Sequence, residues 1–329
     1  MESEMEKNKN EALVSIQNLK VGLASSSGYV YAVRGISLDI MPGEILGLVG
    51  ESGCGKSMTA KTILRLHNER KTEYSGKILY EGQEDVLKMP EERLNQLRGG
   101  EISMIFQDPM TTLNPTMKIG KQIQETLLLH TAMTKEESRK RTLELLRLVG
   151  IAPEEERYEQ YPFQFSGGQL QRICIAMGLA CSPKLLIADE PTTALDVTMQ
   201  AQILELLKDL QKKSGTAILL ITHNFGVIAE ICERVAVMYA GQIMECGKAM
   251  DIFYHPRHPY TEALIKSIPK AGEYGTKLQT IPGAPPLLNH PINGCPYAAR
   301  CPMAQESCFT QRPLQKVAED GHTYLCSLR

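Results

Sequence analysis

The sequence lacks any long hydrophobic run. Residues 217–221 are typical of the longer uninterrupted apolar stretches among its 329 residues, whereas a membrane-crossing helix needs about 18 to 20 such residues. The first ten residues are charged and contain no apolar core, so we expect no signal peptide there. We therefore expect a chain that is soluble by itself and reaches a membrane only through partners.

An excess of charge of one sign is also missing. Lysine and arginine total 36 against 38 for aspartate and glutamate, which gives a formal net charge of -2. This balance provides no electrostatic reason to expect nucleic acid as the main partner. The length allows one large domain with smaller additions.

A glycine-rich stretch follows the apolar run at residues 45–49 and precedes helical spacing that begins near Met58. Its residues are Gly50, Glu51, Ser52, Gly53, Cys54, Gly55, Lys56 and Ser57. A strand, a glycine-rich turn and a helix direct backbone N–H groups at one point, which suits phosphate oxygens. Lys56 can reach the outer phosphates and Ser57 offers a hydroxyl to Mg²⁺. The stretch predicts a nucleoside triphosphate site, with Met58 at its edge, and its helix terminus predicts a lowered pKa for Cys54.

Apolar strands and helical segments alternate beyond this loop, which predicts an α/β fold with a parallel sheet. Ligands of such sheets bind beyond the carboxyl ends of the strands, where Gln107, Asp189, Glu190 and His223 all lie. For phosphoryl transfer, Asp189 suits Mg²⁺ through its outer shell, and Gln107 could bridge the metal and water. Glu190 could polarise the attacking water and His223 could touch the γ-phosphate. Taken alone, Asp189 and Glu190 could form an ordinary turn after a strand, and His223 could be a structural histidine.

Two further features bear on nucleotide binding. Ser166, Gly167, Gly168 and Gln169 precede a second apolar helix, whose N-terminus is a second candidate anion site. Since the chain has one phosphate loop and one such turn, an ATP held between both requires a second chain. Tyr29 or Tyr31 could stack on adenine, although an edge-strand tyrosine is the alternative for each; we retain Tyr31 as a candidate.

Four cysteines, Cys295, Cys301, Cys308 and Cys326, crowd near the end of a proline-rich region. No pair has the CxxC spacing of common zinc ribbons, and disulfides are disfavoured in the cytosol. Four thiolates fit either a [4Fe–4S] cluster or Zn²⁺. His290 and His322 are spare candidate ligands, with solvated loop histidines as the alternative.

The chain resembles the ATP-binding subunits of ABC transporters over nearly its whole length. The matching motifs are Walker A at Gly50 to Ser57, the Q-loop at Gln107, the signature at Ser166 to Gln169, Walker B at Leu185 to Asp189 with Glu190 as catalytic carboxylate, the D-loop at Ala194-Leu195-Asp196 and the switch histidine at His223. The resemblance implies a P-loop NTPase (RecA-like) core with an antiparallel β subdomain, an inserted helical subdomain and a C-terminal extension. It places a flexible tail at residues 1–10, the nucleotide-binding domain at 11–252, the helical insert at about 108–182 and the extension at 253–329. In this family two subunits close head to tail, so the signature and Asp196 are expected at the ATP of the opposite subunit.

Motifs of the extension narrow the resemblance. They are His255-Pro256-Arg257-His258-Pro259-Tyr260-Thr261, Ile281-Pro282-Gly283-Ala284-Pro285-Pro286 and Gly294-Cys295-Pro296-Tyr297-Ala298-Ala299-Arg300-Cys301-Pro302. They resemble the ATPases of oligopeptide and dipeptide importers, and nickel importers share parts of them. The resemblance implies an ATPase at the cytoplasmic face of the membrane that drives peptide uptake. It implies a heterodimer with a second ATPase, two permeases docking near residues 106–117, and an external substrate-binding protein. It also favours the iron–sulfur cluster over zinc.

Three alternatives stay open at this point. The first is a nickel or other small-solute importer ATPase of the same group. The second is a soluble ABC ATPase acting on DNA or ribosomes. This alternative is disfavoured because ordinary helices fill the chain between Lys56 and Ser166 and because the chain has a single ATPase domain. The third is a catalytically silent partner, against which Glu190 and His223 speak. We expect no nucleic-acid partner.

Overall fold

The computed structural model of the chain describes residues 11–25, 28–193, 195–268 and 280–329. They form two compact units. The first unit is drawn from Met1–Ile40, Ile45–Leu87 and Thr222–Arg329, and the second from Met41–Glu44 and Lys88–Ile221. The predicted tail of residues 1–10, and Ala194 of the predicted D-loop, lie outside the described residues.

Strands and helices alternate along much of the described chain. The strands are β1 (Val14–Ser25), β2 (Gly28–Ile40), β3 (Ile45–Val49), β4 (Thr72–Tyr80), β5 (Glu84–Asp85), β6 (Ile102–Ile105), β7 (Leu185–Asp189), β8 (Ala217–Thr222), β9 (Arg234–Tyr239), β10 (Gln242–Lys248), β11 (Lys316–Val317) and β12 (Thr323–Tyr324). The α-helices are α1 (Lys56–Ile63), α2 (Glu91–Gln96), α3 (Pro109–Thr112), α4 (Ile119–His130), α5 (Lys135–Leu148), α6 (Glu154–Tyr158), α7 (Gly167–Gly178), α8 (Val197–Ser214), α9 (Phe225–Ile231), α10 (Ala249–Tyr254), α11 (Pro259–Lys266) and α12 (Glu306–Thr310). The predicted α/β class is confirmed.

One part of the first unit is an antiparallel sheet in the order β2-β1-β4-β5. Ile16, Leu19 and Val21 of β1 are buried. The pairing of β1 with β2 shifts register between Ile16 and Leu19, and Asn18 there has a φ of 47°. Because one extra residue in a strand reverses the faces of those that follow, this bulge keeps the apolar side chains of both halves of β1 inside.

The first unit also contains the strand order β11-β12-β10-β9-β3. β3 runs parallel to β9, and all its residues are buried, as expected for a parallel strand covered on both faces. β9 and β10 form an antiparallel hairpin. Ala240 and Gly241 at its turn both have positive φ, 47° and 78°, the conformation of a two-residue type I′ turn.

The second unit is built on the parallel strands β6, β7 and β8, with β7 in the middle. β7 and β8 are buried throughout. β7 ends at Asp189, β6 ends two residues before Gln107, and His223 follows the last residue of β8. The sequence therefore placed these residues correctly at carboxyl ends of strands.

Helices α3 to α7 of the second unit fill the chain between β6 and β7. Ile123 and Leu127 of α4, and Leu145 and Leu146 of α5, are fully buried. A Cβ on Gly120 would lie 2.0 Å from the nearest atom of the Tyr158 ring, so this ring occupies the space that a side chain at Gly120 would need. The Tyr158 hydroxyl donates to Gln124 Oε1 at 2.7 Å, so its buried polar atom is satisfied.

Among the residues that the structure describes, no helix combines the length and the apolar content needed to cross a membrane.

Candidate functional site

The glycine-rich loop connects β3 to α1 in a conformation that excludes side chains at two positions. Gly50 has a φ of 152° and Gly55 a φ of 110°. A Cβ on Gly50 would lie 2.0 Å from the carbonyl oxygen of Met238, and one on Gly55 would lie 2.5 Å from that of Ala32. Because both obstacles are backbone atoms, a side chain at either position would displace the loop.

Lys56, the first residue of α1, folds back over this loop. Its ammonium group donates to the carbonyl oxygens of Gly50 at 2.8 Å and Glu51 at 3.1 Å. Helix α1 has no side-chain N-cap and no acidic residue in its first turn. Its first N–H groups and the ammonium group therefore suit an anion at the helix N-terminus. Ser57 lies in the same turn, while Ser52 and Gly53 are exposed at the tip of the loop.

Glu51 in this loop is bound by residues from the end of the chain. Arg300 donates to both of its carboxylate oxygens, at 2.7 and 3.0 Å. The backbone N–H of Glu51 donates to the hydroxyl of Tyr260 at 3.0 Å. In the sequence, Arg300 and Tyr260 stand out only as parts of family motifs. Their contacts with Glu51 could not be predicted, because contacts between residues so far apart in the chain leave no local signal.

The predicted lowering of the Cys54 pKa is wrong. Cys54 is buried, and this burial raises the pKa of its thiol, with nearby Lys56 opposing the effect only in part. A helix N-terminus lowers a cysteine pKa when the thiolate can be solvated, whereas desolvation penalises the charged form here.

Tyr31 and Tyr29 lie together on β2 of the first unit. Their ring centroids are 5.1 Å apart, and the rings are tilted by 58°. The ring of Tyr31 is 41% exposed. Tyr29 interacts with Glu73, and burial together with this carboxylate raises the pKa of Tyr29 to about 12. Tyr31 is thus the ring of the pair that offers a surface for stacking.

In the second unit, Gln107 and Glu190 meet at the carboxyl end of the parallel strands. Gln107 Nε2 donates to Glu190 Oε2 at 2.9 Å. The hydroxyl of Thr193 donates to the same oxygen at 2.8 Å. Asp189, one residue earlier, is buried. Two donors on one oxygen hold the Glu190 carboxylate in a single orientation. Thr193 is a member of the site that was not predicted from the sequence.

Ser166 and Gln169 form a reciprocal cap at the start of α7. Gln169 Oε1 accepts from the Ser166 N–H at 3.0 Å, and the Ser166 hydroxyl accepts from the Gln169 N–H at 3.4 Å. Among the residues that the structure describes, and apart from its chain neighbours and the backbone of its own helix, no atom lies within 4 Å of the position that a Cβ on Gly167 would take. A Cβ on Gly168 would lie 2.3 Å from Met199 Cε. The capping box makes the start of α7 rigid and leaves Gly167 open on its outer side.

Asp196 and His223 occupy the beginnings of other helices. Asp196 caps α8, because its Oδ1 accepts from the Met199 N–H at 2.9 Å. His223 is exposed directly after β8, and the adjacent Asn224 caps α9 through the N–H of Gly226 at 3.0 Å. The phosphate loop, Tyr31 and His223 belong to the first unit; Gln107, Asp189, Glu190, Asp196 and the turn from Ser166 to Gln169 belong to the second.

The predicted iron–sulfur cluster is wrong. Cys295, Cys301, Cys308 and Cys326 do line one small cavity. However, no group of three or more histidine, cysteine, aspartate or glutamate side chains in the described part of the chain could hold a metal ion. Burial, with smaller contributions from the neighbouring sulfurs, raises the pKa of Cys295 to about 11.

The spare ligands do not complete a metal site either. His290 is exposed, and His322 Nε2 lies 2.7 Å from Glu245 Oε1 in a buried pair. The zinc alternative is therefore wrong as well.

A phosphate loop between a buried parallel strand and an uncapped helix, with a carboxylate and an amide at the end of neighbouring strands, defines a P-loop ATPase of the cassette class. Comparison with solved structures agrees. The chain matches a dimeric structure of the cassette MJ0796 in a post-hydrolysis state bound to ADP and Pi, with a TM-score of 0.64 and 29% identity, over 72% of this chain and 98% of the other. It also matches cbiO1 from Clostridium perfringens, part of the cbiONQ ABC transporter complex, with a TM-score of 0.63 and 28% identity, over 75% and 92% of the two chains.

Two family models match the sequence. The ABC transporter model covers residues 33–193, and the model of the oligopeptide/dipeptide transporter C-terminal region covers residues 244–308. The chain is 50% identical to the dipeptide transport ATP-binding protein DppD of Bacillus subtilis, over 97% of this chain and 95% of the relative. It is 51% identical to the oligopeptide transport ATP-binding protein OppD of the same organism, over 94% and 87%, and 47% identical to OppD of Escherichia coli, over 93% and 90%. The chain belongs to the ABC transporter family, in the group of the oligopeptide and dipeptide ATP-binding proteins, and the resemblance drawn from its motifs is confirmed.

Proposed function

We propose that this chain is the ATP-hydrolysing subunit of an importer of dipeptides or oligopeptides. The observation that carries the ATPase part is the phosphate loop, whose glycines, uncapped helix N-terminus and inward-folded Lys56 form a phosphate cradle. The peptide part is supported by the match of residues 244–308 to the oligopeptide/dipeptide C-terminal region and by the names of relatives about 50% identical.

The first unit supplies the groups that hold the triphosphate. The N–H groups of the loop bind phosphate oxygens, and the Lys56 ammonium group exchanges its two carbonyl acceptors for the outer phosphates. Ser57 of the first unit, and Gln107 and Asp189 of the second, are the residues that would supply oxygen ligands and outer-shell contacts of the kind that Mg²⁺ prefers. When bound, Mg²⁺ neutralises charge on the phosphate oxygens. Tyr31, with its exposed ring, is the candidate for stacking on adenine.

Glu190 acts on the water that attacks the γ-phosphate. Its carboxylate is oriented by Gln107 and Thr193, so an oxygen lone pair can accept a proton from a water placed beside it. His223, exposed at the end of β8, donates toward the γ-phosphate. All of these groups position and polarise, which is what phosphoryl transfer requires of the protein.

We infer that a second ATPase subunit completes each site. Ser166, Gly167, Gly168 and Gln169, together with Asp196, contact the ATP held by the opposite subunit. The open outer side of Gly167 and the exposure of Ser166 leave room for that ligand, and the related cassette MJ0796 is dimeric in its solved structure. By the resemblance to the oligopeptide and dipeptide importers, the partner is a different ATPase subunit.

The remaining partners are two membrane permeases and an external substrate-binding protein. The permeases dock around residues 106–117, where Phe106 is 37% and Met110 62% exposed, at the cytoplasmic face of the membrane. We infer a nucleotide-binding domain over residues 11–252, with an antiparallel β subdomain and a helical subdomain over about 108–182. Residues 253–329 form the C-terminal extension.

The test is MgATP binding by the whole chain, measured by titration with a fluorescent ATP analogue. Lys56→Ala should weaken binding by about tenfold or more, since a charge-assisted contact to phosphate is lost. Lys61→Ala removes the same side chain from the other end of α1 and should leave the affinity unchanged. Wild-type protein that binds no nucleotide, or equal affinity in the Lys56 variant, would refute the proposal.

A further inference from the structure

Two residues of the C-terminal extension, residues 253–329, form hydrogen bonds with Glu51 of the phosphate loop. Arg300 makes a bidentate contact with the Glu51 carboxylate, at 2.7 and 3.0 Å. The Tyr260 hydroxyl accepts the Glu51 N–H at 3.0 Å. Both the side chain and the backbone of one loop residue are thus fixed by a segment more than two hundred positions later in the chain.

Arg300 cannot move freely, because its other hydrogen bonds are also made. Its Nε donates to the carbonyl oxygen of Pro282 at 2.8 Å, and Nη1 donates to the Tyr239 hydroxyl at 3.1 Å. The side chain is only 5% exposed. A buried, fully bonded guanidinium holds its carboxylate partner in one place more firmly than a surface ion pair does.

Tyr260 is equally fixed. Its ring is fully buried and packs against the rings of Tyr239 and Tyr297, with centroids 4.5 and 5.2 Å away. Its own N–H donates to His258 Nδ1 at 3.0 Å. The hydroxyl that meets Glu51 is therefore presented by a rigid aromatic cluster.

Glu51 matters to the loop in two ways. Its carbonyl oxygen is one of the two acceptors of the Lys56 ammonium group, so its backbone position affects the lysine that meets the phosphates. Its carboxylate would repel a triphosphate if it were left uncompensated in the loop. Arg300 supplies the compensating charge.

We propose that Arg300 and Tyr260 are positioning residues for ATP, through which the C-terminal extension sets the nucleotide affinity of the phosphate loop. The inference rests on the proposed ATP binding by this loop. Since the coupling between two sites is reciprocal, bound nucleotide in turn stabilises the part of the extension around Arg300.

The alternative is a purely structural tether between the extension and the rest of the first unit. A tether would change stability when broken, but it would not alter nucleotide affinity in a protein that remains folded. With a tether alone, the effect of Arg300→Gln on nucleotide affinity would also be the same whether or not Glu51 carries a charge. These differences define the experiment.

We would titrate the full-length chain with a fluorescent ATP analogue in the presence of Mg²⁺. Arg300→Gln should weaken binding by about tenfold, as expected for loss of a charge-assisted contact, and Tyr260→Phe, which keeps the ring, by about threefold. Arg329→Gln is the matched control: this arginine of the same extension pairs with Glu262 and should leave the affinity unchanged. In a Glu51→Gln background, Arg300→Gln should have little further effect, because no carboxylate is left to compensate.

Hydrogen exchange gives the second measurement. Saturating MgATP should slow exchange of the wild-type amides around Ala298–Arg300, and it should slow this exchange less in Tyr260→Phe, which keeps the Arg300–Glu51 contact. If the wild type binds nucleotide while both variants match its affinity and exchange is unchanged, the inference is overturned although the proposed function stands. If Arg300→Gln weakens binding equally in the Glu51→Gln background, or if it unfolds and Tyr260→Phe binds like the wild type, the positioning role is also overturned. A wild type that fails to bind nucleotide would instead contradict the proposed function.

Discussion

Glu190 has a backbone conformation that few residues other than glycine adopt. Its φ is 49°, and its N–H donates to the carbonyl oxygen of Ile221 at 2.9 Å. Left-handed backbone at a non-glycine residue concentrates at functional sites, where the surrounding structure enforces it. Here it turns the carboxylate away from buried Asp189 and toward Gln107 and Thr193.

Glu190→Gln should slow ATP turnover by about two orders of magnitude or more while nucleotide binding is retained, because an amide cannot accept the proton of the attacking water. Phosphate release by the assembled complex measures turnover. Glu159→Gln is the control, since Glu159 lies in the same unit but pairs with Lys118 at the surface. Unchanged turnover in Glu190→Gln would assign hydrolysis to the other composite site.

His258 predicts a pH dependence of stability. It is buried, and its pKa is lowered from 6.5 to about 4, mainly by burial and against the opposing effect of Glu245. As pH falls below about 6.5 the unfolded chain takes up a proton that the folded chain refuses, so the contribution to stability is lost progressively down to about pH 4. At pH 5 the loss should be about 2 kcal/mol.

Urea unfolding at pH 7 and pH 5 measures this loss. The loss of unfolding free energy between pH 7 and pH 5 should be smaller in His258→Asn, whose side-chain oxygen can still accept the Tyr260 N–H. It should be unchanged in His290→Asn, which alters an exposed histidine. Equal pH dependence in the wild type and His258→Asn would contradict the assignment.

At the scale of elements, α7 shows how one capping box could serve two purposes. Ser166→Ala should cost about 1 kcal/mol of stability, because it removes the N-cap acceptor. It should also reduce ATP turnover in the assembled complex, because we propose that the same hydroxyl contacts the ATP of the opposite subunit. Thr134→Ala breaks an equivalent capping box with Glu137 at the start of α5 and should cost similar stability. If the two variants lose turnover equally, the role of Ser166 is capping alone.

Local chemistry explains which parts of the site could be predicted from sequence. The phosphate loop, Asp189, Glu190 and His223 follow short apolar runs, so strand endings were visible in the order of residue types. Thr193, Tyr260 and Arg300 act through partners brought together by folding, and no periodicity reports such contacts. Sequence shows that Cys54 is near a helix terminus, but not that burial raises the pKa of its thiol. It shows that the four late cysteines are close in the chain, but not whether folding arranges them as a metal site.

At the scale of the whole molecule, the two units divide the chemistry. The first unit holds the phosphate loop, His223 and the C-terminal extension, and the second holds Glu190, the proposed catalytic carboxylate, and the turn from Ser166 to Gln169. The extension also contains the sequence that distinguishes the oligopeptide and dipeptide transporters. Its contact with Glu51 would therefore connect the segment specific to these transporters with the loop proposed to bind ATP.

The most direct measurement is uptake of a labelled peptide by proteoliposomes containing the assembled transporter, with its substrate-binding protein outside and MgATP on the side of this chain. We predict accumulation of peptide that requires ATP and is abolished by Lys56→Ala, while Lys61→Ala transports normally. Uptake of nickel but not of peptide, or peptide uptake that persists without ATP, would contradict the account.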